Sequence, residues 1–209
     1  MIEIALALLI QTAPLETVCD LDIKTAGLSR ARRVVEADVA CHENVPGRDE
    51  LNQLAERYAG RLNTRRLRSE NLLTSHTALF SRGEAGGWEP VPGQVVITVP
   101  YVFPRELIDA AVDTVSCSWS AYPDRTGAPR NVRATCYVDG RVRPRNHIRQ
   151  AERAVEDMVR QTRFFPADVD YCFQDEVRVV APVIEVTGGR YNNDNDIEPD
   201  MRPLPQLCG

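Results

Sequence analysis

The stretch NVRATCYVDGRV, residues 131–142, indicates the fold class of this chain. Its apolar and polar residues alternate with the period of a half-buried β-strand, with Val132, Ala134, Cys136 and Val138 on the apolar side. Asp139-Gly140 predicts a type I′ hairpin turn, because both central residues of that turn need positive φ. Cys136 could therefore be a small core residue, half of a disulfide, a metal ligand or a nucleophile.

The residues after this strand predict a helix and then another strand. One helical face carries the apolar stripe Ile148, Ala151, Val155, Met158, Val159 and Thr162. Asn146 is the expected N-cap of that helix. The alternation Val177, Val179, Ala181 and Val183 predicts a closing strand. Pro182 cannot donate to a sheet, so we expect this strand at a sheet edge.

The same order of elements occurs earlier in the chain. A strand that ends at Cys41 precedes a helix with the stripe Leu51, Leu54, Ala55, Tyr58 and Leu62, and the alternation Val95, Ile97 and Val99 follows. We therefore predict an α+β fold of two tandem strand-strand-helix-strand units, each a small antiparallel sheet with one helix packed on it. The expected boundaries are residues 17–106 and 107–190, with a polar tail at 191–209.

The six cysteines favour disulfides over a metal site. None lies in a C-x-x-C pair, so the usual zinc and thioredoxin-type spacings are absent. An even number of widely spaced cysteines is typical of proteins from an oxidising compartment. The repeat makes two pairs equivalent and leaves a third, which predicts the bonds Cys19–Cys41, Cys117–Cys136 and Cys172–Cys208.

The N-terminal residues and the net charge limit the cellular compartments and the partners that we expect for this protein. Residues 4–10, IALALLI, are long enough for the apolar core of a signal peptide, so we predict a signal segment at residues 1–16. The alternative is a buried first strand or helix. No apolar run reaches the length of a spanning helix, so we expect no membrane span in the mature chain. A net charge of −5 argues against nucleic-acid binding. We expect a periplasmic or secreted protein.

Four segments of the second unit carry a family resemblance. They are the Tyr122-Pro123 pair, the strand at 131–142, RFFPAD at 163–168 and EVRVVAPVIEV at 176–186. In this order, over about residues 117–187, they resemble the C-terminal domain of the TonB energy-transducer family. The first unit is a diverged copy that lacks the Tyr-Pro pair.

The resemblance implies a periplasmic domain that binds outer-membrane transporters by capturing an extended segment as an added strand. It implies contact roles for Tyr122 and Pro123, and a docking edge at the closing strand with Val177, Val179, Ala181 and Val183. We expect neither the membrane anchor nor the proline-rich spacer of a transducer in this protein. We therefore expect a relative in fold, with a protein partner in the envelope, such as an outer-membrane protein.

The candidate chemical groups are scattered along the sequence. The three histidines are His42, His76 and His147, and we expect neither a Cys–His nucleophile nor a metal site from them. The acidic residues 194–200 could bind calcium, but they lack the EF-hand glycine and are typical of a solvated tail. Trp88 and Trp119 are either partner anchors or partly buried structure.

No glycine-rich phosphate loop occurs, and we expect a non-catalytic binding or assembly module without a cofactor. Two alternatives stay open at this point. One is an enzyme or a cystatin-like protease inhibitor on a helix-over-sheet scaffold. The other is a domain whose two units pack together only for stability.

Overall fold

A computed structural model describes residues 16–27, 29–42, 45, 47–67, 73–83, 86–140, 145–169 and 171–181. The fold is mixed α+β with antiparallel sheets, as predicted. The strands are β1 Glu16–Ala26, β2 Arg33–Cys41, β3 Leu73–Arg82, β4 Trp88–Pro90, β5 Val95–Ile97, β6 Val112–Pro123, β7 Pro129–Gly140, β8 Arg163–Phe164 and β9 Phe173–Val180. The α-helices are α1 Arg48–Gly60, α2 Arg105–Asp109 and α3 Arg145–Gln161, and a 3-10 turn spans Ser29–Ala31. No helix in these ranges is long and apolar enough to cross a membrane.

The first sheet has the strand order β2-β1-β3-β4. Its central strand, β1, alternates strictly between exposed and buried residues, as a strand with one solvated face must. Helix α1 covers the buried face, and its predicted stripe is confirmed by the burial of Leu51, Ala55 and Tyr58. These residues and the inner face of the sheet form one hydrophobic core.

The second sheet has the strand order β7-β6-β9. Helix α3 packs against β7 and β6, and its stripe is buried at Ala151, Val155, Met158 and Val159. In both sheets the first strand in sequence lies at the centre, between the second and the third. A short ribbon of β5 and β8 connects the two halves.

Two of the predicted disulfides are confirmed. Cys19 is bonded to Cys41 and Cys117 to Cys136, with Cα–Cα distances of 3.9 and 4.0 Å. Each bond joins residues that lie directly opposite each other on neighbouring antiparallel strands. Cys136 is therefore neither a thiol nucleophile nor a metal ligand. Cys172 is buried, but Cys208 lies outside the described residues, so their pairing stays a prediction.

The hairpin turn predicted at Asp139-Gly140 is wrong. Both residues belong to β7, where they pair with Thr114 and Val112 of β6. The turn between β6 and β7 lies at residues 124–128 instead. There the Gly127 N–H donates to the Asp124 carbonyl at 2.8 Å, and Gly127 takes a φ of +73°. This is a type I turn followed by a left-handed glycine, which is also a common connection in β-hairpins.

Two further details differ from the sequence prediction. Helix α3 begins at Arg145, so Asn146 lies inside the first turn and is not the N-cap. The third strand of the first sheet is β3, not the alternation that begins at Val95, because β3 is ten residues long and pairs along most of β1. The chain turns away at Gln94, whose side-chain amide bonds to both the N–H and the C=O of Leu79 in β3.

The segment 163–168 joins the two halves. Phe164 lies in the core of the second sheet, whereas Phe165 lies in the core of the first. The Arg163 guanidinium is buried and donates to the carbonyls of Asn63, Arg65, Arg160 and Thr162. Backbone carbonyls thus take the place of a counter-ion and hold the end of α3 against the chain that follows α1.

Candidate functional site

Strand β9 is the candidate contact strand, and its register fixes which of its backbone groups face the sheet. Cys117 and Cys136 have the close Cα spacing of a non-hydrogen-bonded pair, so the Cys117 backbone groups point toward β9. Val177 lies opposite Cys117 and therefore bonds inward to β6. The Ala181 N–H donates to the Asp113 carbonyl at 2.8 Å, which continues the same alternation.

The backbone groups of the intervening residues consequently point away from β6. These are the even-numbered positions, including Glu176, Arg178 and Val180. The Glu176 N–H donates to the carboxylate of Asp175 at 2.7 Å, so one outward donor is covered by a neighbouring side chain. Among the described strands none pairs with this side of β9. Outward-facing N–H and C=O groups along one side of a strand are what an incoming extended segment needs for main-chain pairing.

The predicted contact residues of the closing strand face the core. Val177 is buried and Val179 half-buried, and both pack into the second core. Ala181 follows the end of β9, and Val183 lies outside the described residues. The exposed side chains are those of the other parity: Gln174, Glu176, Arg178 and Val180. The alternation predicted from the sequence contains both sets, and the residues predicted as contacts belong to the set whose side chains face the core.

Tyr122 and Pro123 lie at the end of β6, beside the beginning of β9. Ala121 pairs with Phe173, so Tyr122 follows directly after the paired region. The Tyr122 side chain is 46% exposed on the solvent face of the sheet, whereas Pro123 is buried. Val180, 54% exposed, lies at the opposite end of β9, about 26 Å away by strand rise. An exposed aromatic and an exposed aliphatic side chain thus flank the polar middle of the strand.

The inner side of this strand is held by aromatic packing. The Trp119 and Phe173 rings have centroids 5.3 Å apart, and the Phe164 and Phe173 rings 5.1 Å apart. Trp119 is only 3% exposed, so it is a core residue and not a partner anchor. Trp88 is half-buried on β4, with the Arg82 guanidinium 5.2 Å from its ring centroid.

A polar clamp between the end of α1 and Asp168 joins the two halves. The Tyr58 hydroxyl and the Arg61 guanidinium, both from the end of α1 and the residue after it, donate to opposite oxygens of Asp168 at 2.5 Å. The hydrogen bonds from Arg61 and Tyr58 lower the pKa of Asp168 to about 2. Burial, followed by the contact with Asp168, raises the pKa of Tyr58 to about 12. Both shifts keep Tyr58 protonated and Asp168 ionised at neutral pH, the states in which the hydroxyl donates and the carboxylate accepts.

The histidines lie on separate parts of the fold. His42 follows β2, His76 lies on β3 and His147 on α3. Cys41, the neighbour of His42, is in a disulfide, which removes the one adjacent Cys–His pair from nucleophilic chemistry. Burial lowers the pKa of His76. Within the described ranges, no group of three or more His, Cys, Asp and Glu side chains has metal-binding geometry.

No protein-family model, curated protein or solved structure matches this chain. The resemblance to the TonB C-terminal domain therefore stays a prediction from the sequence.

Proposed function

We propose that this protein is a non-catalytic binding module that takes up an extended segment of a partner protein as an added strand on β9. The observation that carries the proposal is the position of β9 at the end of the order β7-β6-β9, with the backbone groups of Arg178 and Val180 directed away from β6. Strand addition draws its affinity from such main-chain groups and its specificity from alternate side chains.

The rigidity of the second sheet supports this role. The Cys117–Cys136 disulfide lies level with Val177, at the middle of β9, and fixes β6, with which β9 pairs, to β7. The contact of Phe173 with Trp119 anchors the first residue of β9. A contact strand that is already ordered loses less conformational entropy when a partner binds.

The side chains around β9 indicate the chemistry of the partner segment. Glu176 and Arg178 lie near the middle of the solvent face, so a partner strand gains most from opposite charges at alternate positions. Tyr122 and Val180 offer contacts for apolar side chains at the two ends. The disulfides are compatible with an oxidising compartment. We place the protein in the periplasm or outside the cell, with an envelope protein such as an outer-membrane protein as its partner.

We further propose that the two halves are tandem copies of one strand-strand-helix-strand unit. The shared strand order and the equivalent position of the two disulfides support this. The copies differ where binding would occur, because β3, the counterpart of β9, pairs with β4 through residues 80–82. The second unit is therefore the one that offers its third strand to a partner.

A photo-crosslinking residue at Val180 tests the proposal in cells that produce the protein. We expect it to capture a protein that the same residue at Arg133, on the solvent face of β7, does not capture. Arg178→Pro should abolish capture because proline removes an outward N–H, while Arg178→Ala should retain it. Thermal unfolding of both variants provides the control, since the Arg178 N–H makes no bond to β6. Equal capture by the proline and alanine variants would refute strand addition at β9.

A further inference from the structure

Helix α3 carries a row of exposed arginines that the binding role of β9 does not use. Arg145, Arg149 and Arg153 are spaced four residues apart, so they form one line about 12 Å long on the solvent side of the helix. Among the described residues none of the three takes part in an ion pair. The later Arg160 is different, because it pairs with Glu156 at 2.6 Å.

This arginine row is unfavourable for the helix itself. Like charges at i,i+4 destabilise a helix, and cations near its N-terminus oppose the helix dipole. The first turn of α3 contains no acidic residue, whereas the first turn of α1 contains Asp49 and Glu50. Glu152 is the one carboxylate between Arg145 and Arg153, which leaves a net charge of +2 along the row. A bound anionic group would relieve this repulsion.

The chain itself contains an acidic segment of matching spacing. Within DNDIEPD, residues 194–200, a carboxylate recurs at every second position. Alternate residues of an extended chain are about 6 to 7 Å apart, and successive arginines of the row are about 6 Å apart along the helix. Three consecutive carboxylates therefore match the three arginines in both charge and distance.

The segment can also reach the row. Val180 pairs with Thr114, and Gly140 pairs with Val112, so β9 ends at the same end of the sheet at which β7 leads into α3. Asp194 lies thirteen positions after Ala181, with twelve residues between them. Fully extended, these thirteen Cα–Cα steps span up to about 43 Å. A tethered segment of this length acts at a high effective concentration.

We propose that the acidic segment Asp194–Asp200 docks on the arginine row of α3 in the same molecule. The contact would cover the basic surface of the helix and hold the C-terminal tail against the second half of the protein. It is independent of strand addition at β9, because it uses neither an edge strand nor any residue of β9.

Zero-length carbodiimide crosslinking of the full chain tests the contact, because this reagent joins amines to carboxylates in direct contact. Lys24 is the only lysine in the sequence, so Arg149→Lys introduces one new side-chain amine without a change in charge. Lys24 lies 3.4 Å from Glu36 and provides the internal positive control. Arg57→Lys, at an exposed position of α1, provides the matched control.

We expect the R149K variant to form an intrachain link to residues 194–200 in at least fivefold higher yield than R57K. The yield should fall several-fold in 1 M salt, where the Debye length is about 3 Å. Changing Asp194, Asp196, Glu198 and Asp200 to their amides should abolish the link. Links from R149K only to Glu152, or only between chains in a mixture of isotope-labelled and unlabelled protein, would overturn the proposal, as would equal yields from R149K and R57K.

Discussion

Removal of the Cys117–Cys136 disulfide should cost this protein about 3 kcal/mol of folding stability. The bond closes a loop with a sequence separation of 19, and the entropy that such a loop removes from the unfolded chain amounts to about 3 kcal/mol at 25 °C. Both sulfurs are buried, so Cys→Ala at both positions avoids placing new polar groups in the core. For a chain of this size the loss corresponds to a decrease in melting temperature of about 6 to 12 °C.

Urea unfolding of the C117A/C136A variant at neutral pH measures this loss. C19A/C41A is the matched variant, because its separation of 22 predicts a cost within a few tenths of a kcal/mol of the first. Reduction of the wild-type protein breaks both bonds, so its loss should be larger than that of either variant and close to the sum of the two. A loss below about 1 kcal/mol for both variants would show that the crosslinks do not limit the unfolded chain.

Three further predictions concern the junction between the halves and the turn between β6 and β7. Gly127→Ala should destabilise the protein by more than about 2 kcal/mol in urea unfolding, because the new Cβ would lie 1.8 Å from the Phe164 carbonyl oxygen and Gly127 has a φ of +73°. Gly60→Ala is the control: the space around Gly60 is open, so this change should be neutral or stabilising. Asp168→Asn should remove a stabilisation of about 1 kcal/mol or less, because the carboxylate is half-exposed and screened by solvent. The folded pKa of Asp168, about 2, lies below the unfolded value of about 3.9, so the wild type should lose this contribution as the pH falls from about 4 to 2, and the variant should not. Arg163→Met should cost about 3 kcal/mol or more by thermal or urea unfolding, because it leaves several buried carbonyls without a donor; an unchanged stability would contradict the role assigned to this residue.

The parts of the fold set by local periodicity could be predicted from the sequence. The helix stripes ending at Leu62 and Thr162 identified the buried faces of α1 and α3, and the alternation around Cys136 identified β7 and the side of the strand on which Cys136 lies. The first two disulfides followed from the equivalence of the two cysteine pairs in the repeat. In each case the signal lies within about twenty residues of the element that it predicts.

The parts that depend on distant contacts could not be predicted in this way. Asp139-Gly140 has the composition of a turn, but pairing with β6 keeps it in an extended strand. The strand at Val95 resembles a closing strand, but β8 of the other half pairs with it. At the candidate site the periodicity identified β9. It could not show whether the odd- or the even-numbered residues direct their backbone groups toward β6, because that depends on the register between Cys117 and Val177.

Amide hydrogen exchange of β9, with and without the segment of the captured partner, tests strand addition most directly. Binding should slow exchange at Arg178 and Val180, whose N–H groups point away from β6, by at least tenfold. Exchange at Val177 and Val179, whose N–H groups already bond to β6, should change far less. Protection confined to other strands, or equal protection at the inward- and outward-facing N–H groups of β9, would rule out strand addition at this edge.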